Sequence, residues 1–205
     1  MVGVLDYGMG NLHSVCNALE TLGADVKLCR RPEELREVER LIMPGVGTFD
    51  RCMANLSQDG LIEAVRESVL SEGKPIFGIC LGMQVMAKRG FENGDHDGLG
   101  WIDAEVVRLQ PKDSTLRVPH VGWDNIEWRD DSAMFKGLPP GPEFYFVHSY
   151  HLQCTNSSES DATCDYGGRV TVAIRKGNIF GTQFHPEKSQ DYGLGVLSNF
   201  LKWRP

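Results

Sequence analysis

The chain has 205 residues, 41% hydrophobic and 24% charged, values of an ordinary globular protein that exclude disordered, collagenous and low-complexity classes. Twenty-eight acidic against 21 basic residues give a formal net charge of -7, which offers no electrostatic footprint for a nucleic-acid backbone or an anionic membrane surface. The length suits one α/β domain over residues 1–205, with a core that needs no disulfides.

Val2 to Leu5 reads as a first strand, and Asp6 at its end is expected to shape the Tyr7-Gly8 turn. From Asn11, apolar residues at Leu12, Val15, Leu19 and Leu22 predict a helix that stops at Gly23. Asp25 to Leu28 and Arg40 to Met43 are the next strands, and Leu61, Val65 and Val69 mark a helix that faces the sheet. Lys74 to Ile79 is the fourth strand. This alternation predicts a parallel sheet covered by helices on both faces. Beyond about Gly98 the pattern changes to strands at Trp101 to Leu109, Val121 to Trp128, Phe144 to Tyr150, Val170 to Arg175 and Asn178 to Phe184, with a last helix from about Ser189 to Trp203. Gly137 to Pro142 reads as a loop, and the polar stretch Ser157 to Asp161 as a mobile surface tip. The expected fold class is α/β, a mostly parallel central sheet extended by antiparallel strands.

The start of the chain, Val2-Gly3-Val4-Leu5-Asp6, lacks the regions of a signal peptide, and no uncharged apolar stretch is long enough to span a bilayer. A cytoplasmic location is therefore expected, with reduced thiols. The six cysteines form no C-x-x-C pair, and His13, His96, His120 and His151 show no metal-ligand spacing, so neither a metal nor a cofactor is expected.

In Gly78-Ile79-Cys80-Leu81-Gly82 an apolar strand runs directly into G-x-C-x-G and then into a helical period. This is the nucleophile-elbow pattern with sulfur as the nucleophile. The flanking glycines permit a tight strand-to-helix turn that a β-carbon would obstruct, and Cys80 is then expected at a helix N-terminus, where unpaired N–H groups favour a thiolate. A free cysteine at a strand end is more often a small buried hydrophobe, so a partner base decides between the two readings. Gln183-Phe184-His185-Pro186-Glu187-Lys188 supplies one. Pro186 biases His185 toward extended geometry, in which His185 and Glu187 share a side and complete a set of nucleophile, base and orienting acid.

Six ordered blocks carry a family resemblance: Asp6-Tyr7-Gly8-Met9-Gly10-Asn11, Pro44-Gly45-Val46-Gly47, the cysteine elbow through Gln84, Val118-Pro119-His120-Val121-Gly122-Trp123, Tyr145-Phe146-Val147-His148-Ser149-Tyr150, and Gln183 to Lys188. With these the chain resembles the class I triad glutamine amidotransferases, which have a flavodoxin-like fold, and within them the glutaminase subunits of imidazole glycerol phosphate synthase. The resemblance implies hydrolysis of L-glutamine to glutamate and ammonia through a Cys80 thioester, with His185 as acid and base and Glu187 orienting it. It implies an oxyanion site from Leu81 and the Gly45-Val46-Gly47 segment, and a glutamine pocket from Gln84, Glu92, His148, Ser149 and Tyr150. It further implies a (β/α)8-barrel cyclase partner, contacted by Asn11, Trp123, Tyr145 and Lys188, which uses the ammonia to form imidazole glycerol phosphate in histidine biosynthesis.

Asp124 stands where the imidazole-forming subfamily usually has Asn, which leaves room for a paralogous glutaminase that feeds another synthase. A non-catalytic flavodoxin-like binding module is a reading from another class, and it predicts that Cys80, His185 and Glu187 do not come together. Gly8-Met9-Gly10-Asn11-Leu12-His13 suggests a dinucleotide fingerprint but fails at its third glycine, replaced by His13.

Overall fold

The structure, a computed structural model, describes residues 1–205. In the first part of the chain the strands β1 (Val2–Leu5), β2 (Val26–Cys29), β3 (Arg40–Gly45) and β4 (Ile76–Cys80) alternate with helices α1 (Leu12–Thr21), α2 (Phe49–Leu56) and α3 (Leu61–Arg66). Every residue of β1, β3 and β4 is buried, the pattern of parallel strands covered on both faces. Successive side chains point to opposite faces. Leu5, Leu41, Met43 and Ile76 therefore pack with Phe49, Leu56, Leu61 and Val65, whereas Val4, Ile42, Phe77 and Ile79 pack with Val15, Leu19, Val196 and Phe200. A π turn over Glu67–Ser71 continues α3, so that Leu61, Val65 and Val69 are all buried as their spacing predicts. The helix α2 is an addition to the sequence-based expectation.

The rest of the chain adds α4 (Leu81–Gln84), β5 (Ala87–Gly90), β6 (His96–Asp97), β7 (Ile102–Arg108), β8 (His120–Asn125), β9 (Glu127–Trp128), β10 (Glu143–His148), β11 (Tyr150–Cys154), β12 (Ser160–Asp165), β13 (Arg169–Lys176), β14 (Ile179–Thr182) and α5 (Gln190–Lys202). The large sheet runs β2-β1-β3-β4-β14-β13-β11-β7-β5-β6, with β12 and β9 branching from β13. From β2 to β14 all neighbours are parallel, and β13, β11 and β7 continue the sheet antiparallel, as the α/β reading expects.

Two expected strands divide. Val121 to Trp128 becomes β8 and β9, and Phe144 to Tyr150 becomes β10 and β11. β8 and β10 pair only with each other, while β9 and β11 join the large sheet. Each break is a single residue, Ile126 or Ser149, with no Gly or Pro to mark it, so the alternating pattern runs on through the change of sheet. Residues 137–142 contain neither helix nor strand, as expected. No helix is long and apolar enough to cross a membrane.

The reading of Ser157 to Asp161 as a mobile tip is corrected. Ser157–Glu159 forms a 3-10 turn, and Glu159 and Asp161 are only 6% and 1% exposed. Asp161 accepts from Arg175 Nε at 2.9 Å and from Ser132 Oγ at 2.5 Å, and Glu159 accepts from the Asp103 N–H at 2.7 Å and pairs with Lys176 at 2.8 Å. Polarity along the chain marked this segment as surface, whereas cationic side chains on β13 draw its carboxylates inward. Replacing Asp161 with Ala removes the buried partner of Arg175, and urea denaturation is expected to show a loss of about 3 kcal/mol. A loss below roughly 0.5 kcal/mol, the size of a surface substitution, would return the segment to the mobile-tip reading.

Candidate active site

The neighbours β3, β4 and β14 run parallel, so their carboxyl ends meet at one edge of the sheet, where ligands gather in open α/β folds. The register sets Gly45 opposite Cys80 and Thr182 opposite Ile79. Cys80 has φ 55 and ψ -110, a conformation residues with a β-carbon rarely adopt, and the chain turns there from β4 into α4. Only glycine fits beside it. A β-carbon on Gly82 would lie 1.8 Å from the Met43 carbonyl oxygen, and one on Gly78 would lie 2.7 Å from the Gly82 carbonyl oxygen. The elbow is thus as expected, but α4 is only four residues long, so it offers oriented N–H groups with little macrodipole behind them.

His185 follows β14, and its Nδ1 lies 2.8 Å from Glu187 Oε1, with the two side chains 2% and 1% exposed. The expected extended i, i+2 geometry holds only at His185. Pro186–Lys188 is a 3-10 turn, and it is this curl that returns the Glu187 carboxylate to the imidazole. His185 Nε2 is buried without a hydrogen-bond partner, and both His185 and Cys80 face the same cavity. Burial disfavours the imidazolium, but Cys80 and Glu187 outweigh it and push His185 up to about 10.

Cys80 and His185 open on a cavity of about 290 Å³, amino-acid sized, whose wall includes Val46, Gly47, Leu81, Gln84, Glu92, His148, Ser149, Tyr150 and Lys188. Gly45 itself is not in that wall and immediately precedes Val46-Gly47, which are. It is buried in β3, where a β-carbon would meet the Gly82 nitrogen at 2.7 Å, so its smallness serves the packing of β3 against α4. Gln84 spends its amide nitrogen on the Tyr150 carbonyl at 2.8 Å and on Gln183 Oε1 at 2.9 Å, leaving its Oε1 for a ligand. Glu92 is half-buried. Burial raises its pKa, and the Phe49 N–H that it accepts at 3.0 Å opposes the rise. His148 Nδ1 lies 2.8 Å from the Tyr150 carbonyl oxygen, which can only accept, so Nδ1 carries the hydrogen. Burial pushes this imidazole down to about 3, and its buried Nε2 has no protein partner.

Beside the cavity, β8 and β10 set Trp123 opposite Tyr145, their rings 5.8 Å apart, and Lys188 Nζ stands 5.8 Å from the Tyr145 ring centre. Val121 and Val147 extend this face and are exposed. Asp124 lies on the other side of β8, with its carboxylate 3.6 Å from His120 Nε2. Asn11 is exposed at the start of α1, where its side chain accepts the Ser14 N–H at 3.4 Å. Asp6 accepts the Gly8 N–H at 3.3 Å and Arg30 Nε at 2.6 Å, in keeping with a turn-shaping role.

A nucleophile-like cysteine, a carboxylate-bound histidine and a cavity of this size agree with what similar proteins are. The model of the family described as glutamine amidotransferase class-I matches residues 3–203. The chain belongs to this family. It is 44% identical to the imidazole glycerol phosphate synthase subunit HisH of Mesorhizobium japonicum, over all of this chain and 99% of that one. It is 43% identical to HisH 1 of Campylobacter jejuni, over 98% of this chain and all of the relative. A crystal structure of a glutamine amidotransferase superposes with a TM-score of 0.74 at 26% identity, covering 96% of each chain.

Three residues at this amidotransferase site carried no role in the sequence reading. Gln183, two positions before His185, shares the side of the extended chain that faces Cys80, and the same i, i+2 rule applied to His185 pointed to it. Ser189 donates to the His185 carbonyl at 2.6 Å and accepts the Tyr145 N–H at 3.0 Å, and Tyr7 donates its hydroxyl to the Pro44 carbonyl. No sequence signal singles out either of the last two. The proton on His185 stabilises the folded state fully below its ordinary value of 6.5, and that contribution fades as pH rises through about 10. Cys80→Ala removes one partner and lets burial weigh more. The imidazole C–H resonances of His185 are expected to titrate roughly one pH unit lower or more in this variant, and an unchanged midpoint would assign the whole effect to Glu187.

Proposed function

We propose that the chain is the glutaminase subunit of an imidazole glycerol phosphate synthase, which hydrolyses L-glutamine and passes ammonia to a (β/α)8-barrel cyclase. The observation that carries this reading is the strained Cys80 beside a carboxylate-held His185 in an amino-acid-sized cavity. Full-length similarity to HisH subunits supports the choice of acceptor. The convergence of Cys80, His185 and Glu187 is what the binding-module reading lacks.

His185, held by Glu187, takes the proton of the Cys80 thiol and becomes the imidazolium. The Cys80 thiolate attacks the side-chain carbonyl carbon of glutamine, and the carbonyl oxygen becomes an oxyanion that accepts from the Leu81 N–H and from a backbone amide at Val46-Gly47. His185 gives its proton to the amide nitrogen, the C–N bond breaks, and ammonia leaves a thioester. His185 then takes a proton from water, the hydroxide adds to the thioester, and the C–S bond breaks to give glutamate and the thiolate. Glu187 keeps Nε2 directed at the sulfur throughout. The half-buried Glu92 carboxylate suits the substrate α-ammonium, and the neutral His148, Ser149 and Tyr150 close the pocket around the amino-acid end.

Ammonia released into water is protonated and lost as a nucleophile, so a partner has to cover the cavity mouth. The exposed Trp123, Val121 and Val147, with Tyr145 and Lys188, form a face of mixed aromatic, aliphatic and cationic character that fits such a docking surface. Asn11 caps α1, the helix that packs against the 186–188 turn.

Cys80→Ala is expected to abolish glutamine-dependent imidazole formation in the reconstituted complex while added ammonium still supports it. Retained glutaminase activity would overturn the assignment. The isolated chain is expected to hydrolyse glutamine at least about tenfold more slowly than the complex with occupied cyclase, measured as glutamate release. Equal rates would argue against a partner-dependent enzyme.

A further inference from the structure

Gln183 is fully buried at the end of β14, with its backbone N–H given to the Val172 carbonyl at 2.8 Å. Its side chain lies between Gln84 and Cys80 and forms no part of the cavity wall. The orientation of both amides follows from one backbone atom. The Tyr150 carbonyl oxygen can only accept, so the Gln84 atom 2.8 Å from it is Nε2. That same Nε2 lies 2.9 Å from the Gln183 side chain and has a second hydrogen to give, so the atom it meets is Gln183 Oε1. The Nε2 of Gln183 is thereby turned to Cys80 and stands 3.5 Å from Sγ, a hydrogen-bond distance for sulfur.

We propose that Gln183 is a thiolate-holding residue, its Nε2–H donating to Cys80 Sγ in an orientation locked by Gln84 and the Tyr150 carbonyl. The proposal rests on the reading of Cys80 as nucleophile and adds the group that favours its anion. A hydrogen bond to an ionised acceptor is stronger than a neutral one, and burial strengthens it further. Gln183 is thus the side chain whose N–H lies within hydrogen-bond distance of the sulfur, while His185 Nε2 stays unpartnered for the proton it exchanges. When the thioester breaks, the departing sulfur regains its charge, and the same N–H is in place to receive it. Because Gln183 does not line the cavity, its loss is expected to act on the chemical step and not on glutamine binding.

The test is the pH dependence of iodoacetamide alkylation of Cys80 in the full chain, read by mass spectrometry of the peptide containing it. Gln183→Met is expected to move the apparent thiol pKa up by roughly one unit, and Gln183→Glu, which sets an acceptor against the sulfur, by more. In the complex, kcat for glutamine hydrolysis is expected to fall roughly 10- to 100-fold with KM little changed. Gln84→Met frees the Gln183 amide to flip and is expected to raise the thiol pKa by a smaller amount. Folded Gln183 variants with the wild-type alkylation profile would overturn the proposal. Should those variants not fold, an unchanged profile in Gln84→Met would overturn it equally. Failure of the underlying reading is a separate result, namely glutamine hydrolysis that survives Cys80→Ala.

Discussion

The contact between Gly82 and the Met43 carbonyl is the constraint on which the site depends. α4 has to lie almost on top of β3 for β4 to turn into it at Cys80, and the 1.8 Å left for a β-carbon shows how little room remains. The turn holds Cys80 at φ 55, a conformation that costs of order 1–3 kcal/mol and persists only where the surroundings over-determine it. They do so here: β4 is wholly buried between β3 and β14, and Phe77 and Ile79 are locked into the core beneath the turn. The rigid sheet supplies the strain, and the strain aims the sulfur into the cavity.

The same constraint gathers the other groups. Because β3, β4 and β14 are parallel neighbours, the chain leaves all three at one edge, and Val46-Gly47, Cys80-Leu81 and Gln183 to Glu187 arrive together from three stretches far apart in sequence. The nearby carboxylate and sulfur then overcome the burial of His185, whereas His148, equally enclosed but bonded only to a carbonyl, is driven neutral. Two buried imidazoles in one cavity are thus shifted in opposite directions, one toward the protonated and one toward the neutral form, for a physical reason that lies in their partners.

What was legible in the sequence was local. The G-x-C-x-G turn, the 61-65-69 period and the apolar β1, β3 and β4 strands state their geometry in residues close along the chain, and all appear as read. The exchange of sheets at Ile126 and Ser149 was not legible, since alternation survives a strand's move from one sheet to another. Nor was the burial of Glu159 and Asp161, whose cationic partners lie on another strand. At the site, the spacing of His185 and Glu187 led to the right contact by the wrong route, because a 3-10 turn, not an extended strand, closes the distance. The close packing of Gly45 against α4 was likewise not legible, since its contact lies across the fold.

The exposed Trp123 and Tyr145 face is tied to the catalytic histidine through backbone hydrogen bonds. The His185 N–H donates to the Tyr145 carbonyl at 3.0 Å, and Ser189 Oγ ties the His185 carbonyl back to the Tyr145 N–H. Tyr145 is therefore fastened to the histidine through both of its backbone polar groups, while its ring faces Trp123 and Lys188. Cys80 belongs to a different element, held by β4 and by the Gly82 contact. A force on the paired β8 and β10 strands thus reaches His185 directly, and Cys80 only by way of Gln183. Proton transfer depends most steeply on the separation of Sγ from Nε2, and that separation lies between these two anchorages.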